Sequence, residues 1–229
     1  MESLFSQQEE GPRATYCNLY RYWNFTLASI SAALAYLLFC HQEPIMANRL
    51  QQDFHMTQAH SNYFFMIFPA TYIPCCLIIP NLAEIIDRRY ILLGGAFMGC
   101  VSLLLNGPSN WIGMPYTKGY LVAGQIACGF GQSMAMIPAL KEMTETVKPY
   151  YAESKHKKVA GLCGGVMNCS LGAGQFVGPI LSTFLLARVG YRSTEDYISI
   201  LYAVFFLVFL FTSGILSSCR KKKTDDLDL

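Results

Sequence analysis

Six long apolar stretches alternate with short charged or turn-forming ones along the chain. The first begins near Tyr22 and stays apolar to about Cys40. The second runs roughly 62–82 and contains Pro69, Pro74 and Pro80. The third runs roughly 90–106 and the fourth roughly 119–140. The fifth occupies 158–192, and the sixth, almost wholly Ile, Leu, Val and Phe, runs roughly 197–216. Each has the ~20 residues that a helix needs to cross a ~30 Å hydrocarbon layer. The pattern predicts an all-α polytopic membrane protein with six transmembrane helices: a polar tail over 1–21, a six-helix domain over 22–218 and a charged tail over 219–229.

The fifth stretch is also rich in glycine. Gly161 and Gly165 are four apart, and Ser170, Gly174, Gly178 and Ser182 continue at the same step, with Pro179 beside Gly178. Residues four apart share one helix ridge, and small residues there let a second helix backbone come close within a membrane. The fourth stretch carries a similar ridge in Ala123, Ala127, Gly131, Ala135 and Ala139.

Composition agrees with this reading. The 229 residues are 53% hydrophobic and 14% charged, with the charge in clusters, which argues against a soluble domain. The first 20 residues hold no apolar run of signal-peptide type. The nine cysteines form no CxxC or Cys/His metal spacing. No nucleotide-binding loop and no nucleophile beside a base is present, so an enzyme reading has no residues to stand on. No cofactor, metal or nucleic-acid partner is expected.

Lysine and arginine set the expected orientation. With six spans, both termini lie on one side, and 13 basic residues fall there against four on the other: Arg49, Lys118, Arg188 and Arg192. Both termini are therefore expected in the cytoplasm. The membrane itself, plasma or vesicular, is left open.

Polar residues mark where chemistry would lie. Gln125, Gln132 and Ser133 interrupt the fourth stretch, Asn168 and Gln175 the fifth, and His41-Gln42-Glu43-Pro44 follows the first. Buried amides need partners or water, so their concentration on three helices predicts a water-accessible cavity. Two placements are open for Glu43. A helix that stops near Cys40 leaves it interfacial, whereas a helix that continues toward Asp53 puts an acid within the membrane, where it binds a cation or a proton. His41 is placed to share a proton with it or simply to be hydrated. Asp87-Arg88-Arg89 forms a short turn, with Glu84 just before, and reads as a positively charged anchor with a local ion pair.

These segments together resemble part of a known family. The block 64–100, then GPSNWIG, GFGQSMAMIPAL, LGAGQFVGP and VGYR, is similar to the C-terminal six helices of the major facilitator superfamily. Within it the chain looks nearest to the branch of vesicular amine transporters and proton-coupled drug antiporters. Asp87, Arg88 and Arg89 resemble the turn between helices 8 and 9, with Ala83 where a glycine is usual. Gly174, Gly178 and Pro179 resemble the end of helix 11, and Glu43-Pro44 resembles the Glu-Pro of helix 7. The resemblance implies that Glu43 contributes to amine binding. Two further acids of those transporters fall on Ser133 and Asn168, both neutral here.

The expectation is a half-length transporter in a lipid bilayer, moving a small organic solute, cationic by preference, through alternating access. Glu43, Gln132, Ser133 and Asn168 would line its site, and a proton is a candidate coupling ion. The half would pair with a second copy or with another six-helix chain, the Gly174/Gly178 ridge lying at that seam. A non-transporting scaffold, or a truncated product of a 12-helix transporter, are the alternatives.

Overall fold

Proline decides where the first two long helices break. The structure, a computed structural model, describes residues 15–213. A short turn of helix, α1 (Tyr16–Leu19), precedes α2 (Trp23–Cys40) and α3 (Glu43–Phe54). Pro44 has no N–H to donate, and its ring crowds the carbonyl four residues back. The chain accordingly slips at His41–Gln42 before resuming as helix. α4 (Gln58–Phe65) and α5 (Ile67–Ile85) are divided at Met66 in the same way, ahead of Pro69. Then follow α6 (Arg88–Asn106), α7 (Lys118–Val147), α8 (His156–Val189) and α9 (Tyr191–Thr212).

Two boundaries differ from the sequence reading, and one that it leaves open takes the longer form. α7 runs to Val147, two turns past the expected end. α9 begins at Tyr191 rather than near 197, directly after Gly190, whose φ of 79° is a left-handed value suited to glycine. The first span continues past Glu43 to Phe54. Among the described residues five helices are both long and apolar enough to cross a membrane. α7 has the length, at 30 residues, but is less apolar. Arg13, Arg220–Lys223 and most of both tails lie outside the described residues.

α7 is the central helix. It lies against α6, α2 and α5, while α8 packs on α2 and α9 on α6. Close approach follows from the small residues. A methyl added to Gly95 would sit 2.7 Å from the Ala135 backbone nitrogen, and one added to Gly131 would sit 3.0 Å from that of Gly99. The ridge of α7 therefore meets a glycine ridge of α6, not α8. The main core around Phe25, Leu38, Leu92, Leu103, Met143 and Phe209 fills the remaining space, and the Tyr202 hydroxyl donates to the Leu34 carbonyl.

The ridge of α8 calls for a correction. Ser170, Gly174, Gly178 and Ser182 are all buried, and they face α2 inside this bundle rather than a seam with another half. A methyl on Gly174 would overlap the Ala33 carbonyl oxygen, and one on Gly178 would lie 3.1 Å from the His41 backbone nitrogen. Ser170 donates to the Val166 carbonyl, so Ser29, 2.7 Å away, donates to Ser170 and ties the two helices. The opposite face of α8, with Gln175, Phe176, Val177 and Ile180, is exposed.

Candidate functional site

The four residues expected to line a cavity are not gathered into one pocket. Glu43 opens α3 and is exposed. Asn168 is exposed on α8. Gln132 and Ser133 are buried in α7, where the Ser133 hydroxyl donates to the Phe130 carbonyl at 2.8 Å. Gln132 Oε1 has no hydrogen-bond partner among the described residues. Glu43 and Asn168 thus present polar groups outward, with no side-chain hydrogen bond among the described residues.

The turn at Asp87 is more connected than a surface anchor. Asp87 caps α6 by accepting from the Arg89 backbone N–H at 3.0 Å. The acid that Arg88 and Arg89 reach is Glu142, more than fifty residues away, rather than one local to the turn. Arg89 Nε donates to Glu142 Oε1 at 2.9 Å, and Arg88 Nε to Glu142 Oε2 at 3.3 Å. Arg89 also donates to the Ser213 carbonyl at the end of α9 at 3.2 Å. A cleft of about 290 Å³ opens beside this cluster, lined by residues from Ala83 to Arg89 and by Glu142.

The opposite end of the bundle holds a buried polar layer contributed by α2, α6, α7 and α9. His41 and Glu195 are both wholly buried, with His41 Nε2 3.0 Å from Glu195 Oε2. Gln125 Nε2 donates to Gln42 Oε1 at 2.8 Å, the Ser102 hydroxyl to the Gly124 carbonyl at 3.0 Å, and Asn106 Nδ2 to the Ser102 hydroxyl at 3.2 Å. The Tyr191 hydroxyl donates to the Asn106 carbonyl at 3.0 Å, and Asp196 Oδ2 accepts from the Asn110 backbone N–H at 3.3 Å. Gln42 Nε2, Asn106 Oδ1, Gln125 Oε1, Glu195 Oε1 and Asp196 Oδ1 have no partner among the described residues. The apolar pattern does not reveal this layer, because 193–196 fall between the fifth and sixth stretches and His41 is expected either to share a proton with Glu43 or to be hydrated. The signal available was Gly190 followed by Tyr191: a glycine stop that begins a new helix six residues early.

Around this layer lies a cleft of about 290 Å³ bordered by Arg49, Asp53, Tyr116, Tyr191 and Arg192. Arg192 donates to the Pro108 and Met114 carbonyls, each at 2.7 Å, which fixes the connection between α6 and α7. Burial and the nearby Asp53 carboxylate push the Tyr116 hydroxyl up to about 12, so it stays a donor throughout the physiological range. Tyr191→Phe removes one buried donor and leaves the Asn106 carbonyl, at the C-terminal end of α6, without it. The expected loss is about 1 kcal/mol of stability, read as a lowered melting temperature of the purified protein in lipid nanodiscs.

Long helices with outward apolar faces, small-residue ridges between them and polar groups held inside define an integral multi-pass membrane protein. Its class is that of a polytopic helical bundle. The chain belongs to the Major Facilitator Superfamily, whose family profile matches residues 25–225. Over 172 residues it is 22% identical to the MFS-type transporter SLC18B1 of Mus musculus, a match that takes in 73% of this chain and 36% of that protein. The chain thus spans well under half the length of this curated relative.

Proposed function

We propose that this chain is the six-helix half of a facilitator-type transporter, carrying a small organic, preferably cationic, solute by alternating access against a second six-helix unit. The observation that carries the reading is the uneven burial of its spans. The most apolar stretches of Gln58–Ile85 and Glu153–Val189 are each 22% buried, against 61% for Trp23–Phe54 and 50% for Arg88–Asn106. The two least covered spans flank the face a partner would occupy, and α8 exposes Asn168 and Gln175 there. Amides and carboxylates at membrane depth are expensive against lipid and belong against protein or a water-filled cavity. In this reading Glu43 attracts the solute's charge, and Asn168 forms part of the cavity wall.

The topology proposed is six spans with both termini cytoplasmic. α7 serves as the sixth span: it has the length, packs against α2, α5 and α6 on one side, and turns Ile126, Phe130 and Leu140 outward on the other. The 13 to 4 distribution of basic residues supports that orientation. Uptake of radiolabelled small organic cations into proteoliposomes holding the full chain, with and without a pH gradient, tests the function. Saturable uptake, reduced at least tenfold by Glu43→Gln with insertion unchanged, is expected. Absence of flux under either condition rejects it.

One observation favours a second reading, a facilitator-like subunit that does not transport. Gln132 and Ser133 are turned into the bundle, and the counterparts of two transporter acids are neutral. Under that reading Glu43→Gln and Asn168→Ala leave the phenotype of the assembly unchanged.

A further inference from the structure

The hydrogen-bond geometry of His41 counts its protons. Its Nδ1 lies 2.9 Å from the Leu37 carbonyl oxygen, which only accepts, so Nδ1 carries a hydrogen. Its Nε2 lies 3.0 Å from Glu195 Oε2. A lone pair facing a carboxylate at that distance is repulsive, so one more proton lies between them, on the ring or on the carboxyl. With it the pair is net neutral as imidazolium–carboxylate or imidazole–carboxylic acid. Without it a bare negative charge remains at a place with no solvent exposure, the case a low-dielectric interior penalises most.

Among the described residues the cations near this layer, Arg49 and Arg192, are engaged elsewhere. From α9, Tyr191 and Tyr202 lie within electrostatic reach of Glu195, and from α7 Cys128 does. Asp196, the next residue, adds negative charge and is held by the Asn110 N–H. The cation on that turn, Arg192, donates to the carbonyls of Pro108 and Met114. On α2 and α3 the nearby titratable groups are Cys40, Glu43, Asp53 and Arg49, whose guanidinium lies over the Tyr191 ring and pairs with Asp53 at 3.8 Å. From Val159 to Ala187, the part of α8 packed on α2, the sequence holds no charged residue. α6 approaches through Gly107, whose added methyl would strike the Glu195 side chain, so a glycine there makes the room the acid occupies.

We propose that His41 and Glu195 form a single-proton binding site that joins the break in the first span to the second turn of the last. It is separate from Glu43 and the other cavity residues. Three features fit a proton that exchanges. The pair spans two helices. It sits where Pro44 has already interrupted one of them. Glu195 Oε1, and the neighbouring Asp196 Oδ1 and Gln42 Nε2, are still open to partners. Loss of the proton replaces an attraction between α2 and α9 with a repulsion, so binding it and bending the first span are coupled. The use of that proton in solute movement rests on the transport reading above; its presence does not.

The test is pH-difference infrared spectroscopy of the full chain in lipid nanodiscs, with no solute, from about pH 2.5 to 9, which brackets the ordinary carboxylate and histidine ranges. The wild type is expected to show one titration step with coupled histidine and carboxyl bands. Glu195→Gln keeps a hydrogen bond, with the amide donating to Nε2, and so should keep its fold and melting temperature while losing that step. His41→Gln should lose the histidine bands and move the carboxyl band. A wild-type spectrum that matches that of Glu195→Gln across the range overturns the proposal whether or not the protein transports anything. So does a step with coupled histidine and carboxyl bands that survives in Glu195→Gln.

Discussion

Gly174→Ala is expected to destabilise the protein, while Gly172→Ala, two residues away on the same helix, is expected to stabilise it. The intrinsic preference is the same at both, since alanine favours a helix interior over glycine by about 1 kcal/mol. What differs is the surroundings. A methyl at Gly172 meets nothing within 4 Å. A methyl at Gly174 overlaps the Ala33 carbonyl oxygen and comes within 3.0 Å of the Leu37 backbone nitrogen. Both obstacles are backbone, so no rotamer change relieves them, and α2 and α8 must separate. Separation stretches the Ser29–Ser170 hydrogen bond and opens the contact of Gly178 with the His41 backbone. Overpacking of this kind costs roughly 1–3 kcal/mol, enough to reverse the propensity gain. Melting curves of the two variants in nanodiscs check it, and a Gly174→Ala protein that melts at or above wild type would refute the packing assigned to this ridge. Gly174→Leu should abolish folding of the domain outright, so any loss of pairing in such a variant is secondary to loss of the bundle.

The spacing of Ser170, Gly174, Gly178 and Ser182 made the existence of a packing ridge legible, because a helical period of four is a local property. The partner was not legible. Which helix a ridge meets is set by topology, and here the first span took the place expected for a second half. Existence of the long helices was likewise readable from their apolar content. Their ends were not, since Thr194, Glu195 and Asp196 look like loop residues until tertiary contacts with His41 and Asn110 bury them. Of the candidate site, Glu43 was readable as an acid beside a proline, with a helix that stops before it or runs on past it left open, and its relation to Gln132 depends on which way α7 turns. α7 turns that amide into the bundle, where a one-dimensional pattern had suggested a cavity wall.

Glu142→Gln should be the most damaging change at the opposite end of the molecule. Arg88 and Arg89 occupy the first turn of α6, where the helix dipole disfavours positive charge. Asp87 offsets part of this as the cap, and Glu142 offsets the rest by accepting from both guanidinium groups while itself only 5% exposed. An amide at 142 keeps the shape but loses the charge and turns a donor toward one of the two arginines. Hydrogen bonds to charged groups contribute about 1.5–3 kcal/mol, so a loss of about 2 kcal/mol is expected. Arg89→Gln should cost less, because Arg88 still holds Glu142, yet more than Arg88→Gln. Arg89 has the shorter bond, 2.9 Å against 3.3 Å, and it alone of the two also reaches the Ser213 carbonyl. The expected ranking in melting temperature is therefore Glu142→Gln lowest, then Arg89→Gln, then Arg88→Gln. Equal effects of the two arginine variants would remove α9 from the network, because the Ser213 contact is what ties the last helix to the α6–α7 pair at this end.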